Sequence, residues 1–148
     1  MKKIIITMIV VLKCSISSAQ NTDSLIVKYI AIKNALVESN NAAARTAITN
    51  FSSIYTTTPE SKQNKELKSA LDKLASANTL EAQRQFFNTF SVAFWKLIKD
   101  SKSNSQSIYY QYCPMKKAYW VSQESEIKNP YYGSSMLSCG KVIEKLDK

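Results

Sequence analysis

Histidine is missing from this chain altogether, and glycine occurs only twice in 148 residues. The first absence removes the side chain used most often for general acid–base catalysis and a common zinc ligand. The second removes the glycine-rich loop that cradles phosphates, because Gly133 and Gly140 are too few and both lie in the last third. A cysteine nucleophile would find only lysine or glutamate as its base. The chain therefore does not read as an enzyme. There is also no run of basic residues, although the formal net charge is +9. The lysines are scattered among glutamates and serines, as on a solvated basic surface, and no nucleic-acid groove is indicated. Anionic surfaces such as lipid headgroups or cell-wall polymers remain compatible partners.

What is present begins with an export signal. Lys2 and Lys3 form a charged start, and Ile4 to Leu12 forms an apolar run. Ser17-Ser18-Ala19 supplies small residues at the −3 and −1 positions, which places cleavage before Gln20. The run is too short to span a bilayer as a stable helix. Cys14 follows Lys13, where a lipid-attachment site wants a small residue, so it reads as part of the discarded peptide. The expected product is an exported, periplasmic chain from Gln20 to Lys148, one domain's worth of residues.

The region between Asp23 and Lys99 holds a single proline and no glycine, which suits helices. Apolar periodicity predicts four of them, at about 23–39, 41–55, 60–75 and 78–99. Asp23 is the expected N-cap of the first. Thr56-Thr57-Thr58-Pro59 separates the second from the third. Asn78 or Thr79 caps the fourth, with Glu81 three residues after Asn78 as in a capping box. The stripe Phe86, Phe87, Phe90 and Phe94 reads as a core face rather than a ligand box. Short loops between amphipathic helices predict a mainly α, up-down four-helix bundle over 23–100.

After the polar linker Ser101–Ser107 the character changes. Ile108-Tyr109-Tyr110-Gln111-Tyr112 and Ala118-Tyr119-Trp120-Val121 are rich in strand formers and predict a β-hairpin. Cys113-Pro114-Met115-Lys116-Lys117 lies at its tip. Asn129-Pro130 and Gly133 mark a further turn. A short terminal helix is expected to carry Met136 and Cys139, with 142–146 continuing it or fraying. This Cys/Met-containing cap spans 108–148.

Two sulfur pairs frame the aromatic segment. Met136 and Cys139 are three apart, so on a helical turn they share a face. Cys113 and Met115 are two apart, so on an extended segment they do too. Two thiolates and two thioethers form a soft donor set that suits Cu(I) or Ag(I). Zinc is served poorly by thioethers, and no histidine is available. The alternative is a Cys113–Cys139 disulfide, which an exported protein can keep. Closing a loop of that length contributes roughly 3–4 kcal/mol by the chain-entropy estimate. On the residues alone the disulfide is the preferred reading. Trp120, Tyr131 and Tyr132 are candidates to pack around the site, or to form a small core between hairpin and helices.

The ordered segments Tyr110-Gln111-Tyr112-Cys113-Pro114-Met115, Ala118-Tyr119-Trp120-Val121-Ser122, Ile127-Lys128-Asn129-Pro130-Tyr131-Tyr132-Gly133, Met136-Leu137 and Cys139-Gly140-Lys141-Val142 carry a resemblance. Together they resemble an uncharacterised family of exported bacterial domains, number 3347 in the domain-of-unknown-function series. The resemblance covers about Asp23 to Val142 in outline and is specific after Tyr110. It implies helical units ending in a Cys-Pro-Met segment, found alone or joined to periplasmic adaptors of heavy-metal efflux pumps. It also implies handling of copper or a related soft metal, with Cys113, Met115, Met136 and Cys139 as ligands. The family pattern has a longer, Gly-containing insert between Met115 and the Trp, where this chain has only Lys116 to Tyr119. With the resemblance added, metal binding moves ahead of the disulfide, because a disulfide gives the methionines no role beyond packing. The expected function is non-catalytic binding of Cu(I) or Ag(I) in periplasmic metal homeostasis or efflux. The alternative is a disulfide-stapled helical module that docks on an efflux adaptor or another envelope protein without metal.

Overall fold

Two local signals set the helix starts. The Asn40 side-chain oxygen accepts the backbone N–H of Ala43 at 3.0 Å, and the Thr79 hydroxyl accepts that of Ala82 at 3.2 Å. Each satisfies one of the orphan donors at a helix N-terminus. In the computed structural model, which describes residues 14–55, 62–101 and 105–147, the helices are α1 (Cys14–Val37), α2 (Asn41–Tyr55), α3 (Lys62–Ala75) and α4 (Leu80–Ser101). The leader's charged and apolar regions at 2–12, the Thr56–Pro59 break and residues 102–104 of the linker lie outside the described residues. Among the described residues, no helix is long and apolar enough to cross a membrane.

Helix α1 starts before the expected cap. Asp23 lies inside it, because no glycine or proline stands between Cys14 and Asp23 to end the helical path. The Asp23 carboxylate instead accepts the backbone N–H of Ser105 at 3.1 Å, tying α1 to the approach of the sheet.

Three antiparallel strands follow the helices: β1 (Ile108–Cys113), β2 (Ala118–Ser122) and β3 (Lys141–Leu146), in the order β2-β1-β3. The expected hairpin is β1–β2, in a register that ends with Cys113 opposite Ala118. The expected terminal helix is absent. Residues 133–136 form one 3-10 turn, and 141–146 form a strand on the free edge of β1. Val142 and Ile143 are β-branched and favour that extended state. A bulge between Tyr110 and Gln111 leaves Ile143 without an opposite residue. On the other side of the sheet the edge of β2 is covered by α4, where the Asn88 side-chain oxygen accepts the Tyr119 N–H at 2.9 Å.

The core joins helices to sheet through aromatic rings. Phe87, Phe90 and Phe94 are fully buried and stack around Tyr29 of α1, at centroid distances of 5.3, 5.6 and 4.5 Å. The phenylalanine stripe of α4 is thus a core face. The Tyr29 hydroxyl pairs with Ser91 Oγ at 2.6 Å and accepts the Val121 N–H at 3.1 Å, so one side chain links α1, α4 and β2. Trp95 stacks on Tyr110 at 4.6 Å, fixing α4 against β1.

Burial pushes the phenols of Tyr29, Tyr110 and Tyr131 well above the ordinary tyrosine range, and that of Tyr55 up to about 12. A group whose folded pKa is raised stabilises the fold below its unfolded pKa, and that stability is lost as pH rises further. Here the unfolded value is about 10. The denaturant midpoint is therefore expected to hold at pH 9 and to fall steeply by pH 11. Urea melts with phenolate absorbance read in parallel check this. Buried tyrosines that all ionise near their ordinary pKa in a fold that stays intact would contradict it.

Candidate functional site

Cys113 and Cys139 meet because of the β1–β3 register. Tyr112 lies opposite Lys141. One step further along the same ladder Cys113 comes level with Gly140, and Cys139 is the next residue. Their sulfurs are 3.6 Å apart and both are free thiols. Cys113 is fully buried, whereas Cys139 is half-buried. The neighbouring Cys113 thiol, helped by burial, raises the pKa of the Cys139 thiol, while a hydrogen bond from the Met115 backbone pulls it the other way.

The methionines flank this pair through their main chains. The Met115 backbone lies close enough to the Cys139 sulfur to lower its pKa, yet Met115 itself is 67% exposed. Met136 ends the 3-10 turn half-buried, and its carbonyl accepts the Cys139 N–H at 3.1 Å. Met136 and Cys139 therefore sit at the two ends of a turn and not on the expected terminal helix, since the 3-10 segment stops at Met136. The structure brings the two thiols together and leaves the Met115 thioether facing solvent.

Trp120 and Tyr131 pack behind the site and are buried, with ring centroids 6.0 Å apart in an edge-on arrangement. A Cβ added to Gly140 would stand 2.7 Å from Cη2 of Trp120 and 3.1 Å from the Tyr112 carbonyl, so only glycine lets the chain pass there. Tyr132 is half-buried, and the Lys116 ammonium lies over its ring, 5.0 Å from the centroid.

The loop that carries Cys139 is held by Asn129, a residue the sequence marked only as part of a turn. Asn129 is fully buried. Its amide donates to the Cys139 carbonyl at 2.6 Å, and its side-chain oxygen accepts the Tyr131 N–H at 2.8 Å. Its backbone N–H donates to the Leu137 carbonyl at 2.8 Å. Tyr131 in turn donates its hydroxyl to the Tyr119 carbonyl on β2. Arg84 of α4 ties the same turn to the helices. It donates to Pro130 O at 2.8 Å, to Leu36 O at 2.9 Å and to Ser39 Oγ at 2.8 Å. Gln111 of β1 donates to the carbonyls of Glu124, Ser125 and Glu126, which orders the loop leading to Asn129. Neither Arg84 nor Gln111 carries a local sequence signal for these long-range roles.

The donor set fits a soft ion. Two thiolates about 2.3 Å from one tetrahedral ion stand about 3.8 Å apart, close to the observed 3.6 Å. Among the described residues no three His, Cys, Asp or Glu side chains cluster as a harder metal would need. Thiolates are soft, polarizable donors.

Fold and site together define a small domain of four helices and a three-stranded antiparallel sheet, with two neighbouring thiols at the sheet's end. Residues 25–106 match the family model described as protein of unknown function (DUF3347), and the chain belongs to that family. The match runs from within α1 into the linker after α4 and stops before Cys113. It thus rests on a different part of the chain from the aromatic and sulfur segments that suggested the resemblance, and it contains none of the four proposed ligands. No curated protein and no solved structure matches the chain.

Proposed function

We propose that this chain is an exported, non-catalytic protein that binds Cu(I) or Ag(I) between Cys113 and Cys139. The observation that carries the reading is the 3.6 Å approach of the two thiols, one of them accessible enough to take up or release an ion. Met136 and Met115 are the candidate third and fourth donors: the Met136 carbonyl accepts the Cys139 N–H, and the Met115 backbone lies near the Cys139 sulfur. Met115 has to turn in from solvent to join. Export is supported by Lys2-Lys3, the apolar run and Ser17-Ser18-Ala19. The absence of histidine supports a binding role over catalysis. In this reading the bound ion is cargo, and the partner is a metal-efflux adaptor or another envelope protein that receives it.

The test is an anaerobic titration of the reduced protein with Cu(I) against a chromogenic chelator. One ion per chain is expected, with binding lost in Cys113→Ser. Met115→Leu combined with Met136→Leu is expected to weaken affinity while leaving the fold intact. Unchanged affinity in that double variant sinks the four-donor version. No competition with the chelator sinks metal binding as a whole. The remaining reading is then the disulfide-stapled interaction module, which the same thiol proximity favours.

A further inference from the structure

The thiol pair is asymmetric in access. Cys113 closes strand β1 with no exposed surface, held in register against Ala118. Cys139 is half-buried in the loop before β3, next to exposed Leu137 and Ser138. A metal held by both sulfurs needs only one accessible thiol to enter by, whereas a stepwise reaction at sulfur gives each thiol its own part. Thiol–disulfide exchange depends on which sulfur an incoming disulfide can reach and on whether a second thiol stands close enough to finish the reaction.

We propose that the pair is a thiol–disulfide exchange site, in which Cys139 attacks the incoming disulfide, Cys113 resolves the intermediate, and the closed disulfide and a bound soft metal exclude each other. The oxidant is an organic disulfide. The Cys139 sulfur, having given its proton to water, bonds to one sulfur of that disulfide. The oxidant's S–S bond breaks, and its other half leaves with the electron pair and takes up a proton. Cys113 then loses its proton and attacks the Cys139 sulfur 3.6 Å away. The mixed bond breaks, and the second half of the oxidant leaves as a thiol. In sum, two protein thiols give up two electrons and two protons, and one organic disulfide becomes two thiols. Closure shortens the sulfur separation to about 2.05 Å. The backbone on both sides is already fixed, by the β1 ladders around Cys113 and by the Asn129 bond to the Cys139 carbonyl. The new bond removes the negative charge of both thiolates that would bind the ion, which is why closure and loading compete. That exclusion rests on the metal reading above, whereas the order of attack does not.

The test exposes the reduced, metal-free protein to oxidised glutathione, quenches with an alkylating agent, and locates adducts by intact mass and peptide mapping, which also separates Cys14. In the wild type the early adduct is expected on Cys139, followed by loss of the adduct and of two hydrogens. Cys113→Ser is expected to accumulate one stable adduct on Cys139. Cys139→Ser is expected to react at Cys113 at least about tenfold more slowly, as its burial requires. An early wild-type adduct on Cys113, or a wild-type chain that stops at the mixed disulfide, overturns the proposal. The wild-type mapping keeps the test valid even if a serine variant folds poorly. In a second arm, one equivalent of Ag(I) is added first, and suppression of the adduct is expected. Closure at an unchanged rate on silver-loaded chain overturns the exclusion. A failure of Ag(I) to bind in direct titration overturns the metal reading and the exclusion with it, but not the order of attack.

Discussion

Replacing Gly133 by alanine is expected to destabilise the chain by about 2–5 kcal/mol, summing about 1–2 for a left-handed residue and about 1–3 for overpacking. Gly133 has φ +57, in the region where a Cβ crowds its own backbone. That Cβ would also stand 2.7 Å from the Val37 carbonyl, 2.7 Å from Ser39 Oγ and 2.9 Å from Arg84 Nη2. The serine and the arginine end can move, but the Val37 carbonyl belongs to the last turn of α1 and cannot move alone. Relief therefore has to come from displacing the 3-10 turn. Displacement strains the Arg84 bonds to Leu36 and Pro130, and through Pro130 it reaches the Asn129 anchor of Cys139. Urea denaturation of Gly133→Ala beside the wild type measures the loss. A change below about 0.5 kcal/mol, within the range of an ordinary surface substitution, would show that this close approach does not hold the turn to α1.

The helices were legible because their determinants are local. Asn40 and Thr79 cap in place, and the apolar spacing of α2 and α4 maps directly onto their buried faces. Asp23 misled because a good capping residue marks a helix start only where the preceding chain is free to leave the helix. Strand β3 was misread for a different reason. The bulge at Ile143 breaks the two-residue period, and Val142 and Ile143 are both exposed. Without alternation, Lys141–Leu146 carries no strand pattern of its own, and its conformation is set by the free edge of β1, whose paired residues are 29 to 38 positions away in sequence. The two cysteines were legible as candidates because thiols in a chain that reads as exported have few uses. Their convergence depends on the Tyr112–Lys141 register, and hence on the same strand. Asn129 and Arg84 mattered as much as the sulfurs. A single amide or guanidinium bonding to distant carbonyls leaves no periodicity behind. The family match to 25–106 follows the same division, falling on the locally specified helices and not on the sheet that assembles the thiols.

Trp120→Ala is expected to cost about 3–5 kcal/mol, the range for truncating a fully buried aromatic side chain. Trp120 is fully buried at the centre of the hairpin's inner face. It stands edge-on to Tyr131, and its Cη2 meets the passage of Gly140. Its removal leaves a cavity between β2 and the loop that carries Cys139. The lost stability is therefore expected to come with a looser thiol pair and slower disulfide closure. Trp120→Phe separates the two consequences. Among the described residues the Trp120 indole N–H has no hydrogen-bond partner, so phenylalanine gives up area but no bond. It keeps an aromatic edge toward Tyr131 and lacks the atoms that press on Gly140. Trp120→Phe should thus retain most of the stability yet still slow closure of the Cys113–Cys139 bond. Urea melts of both variants give the first quantity, and glutathione-driven closure followed by intact mass gives the second. A Trp120→Phe chain that closes at the wild-type rate would mean that the strand register and Asn129 alone hold the thiols together, and that the ring serves only the core.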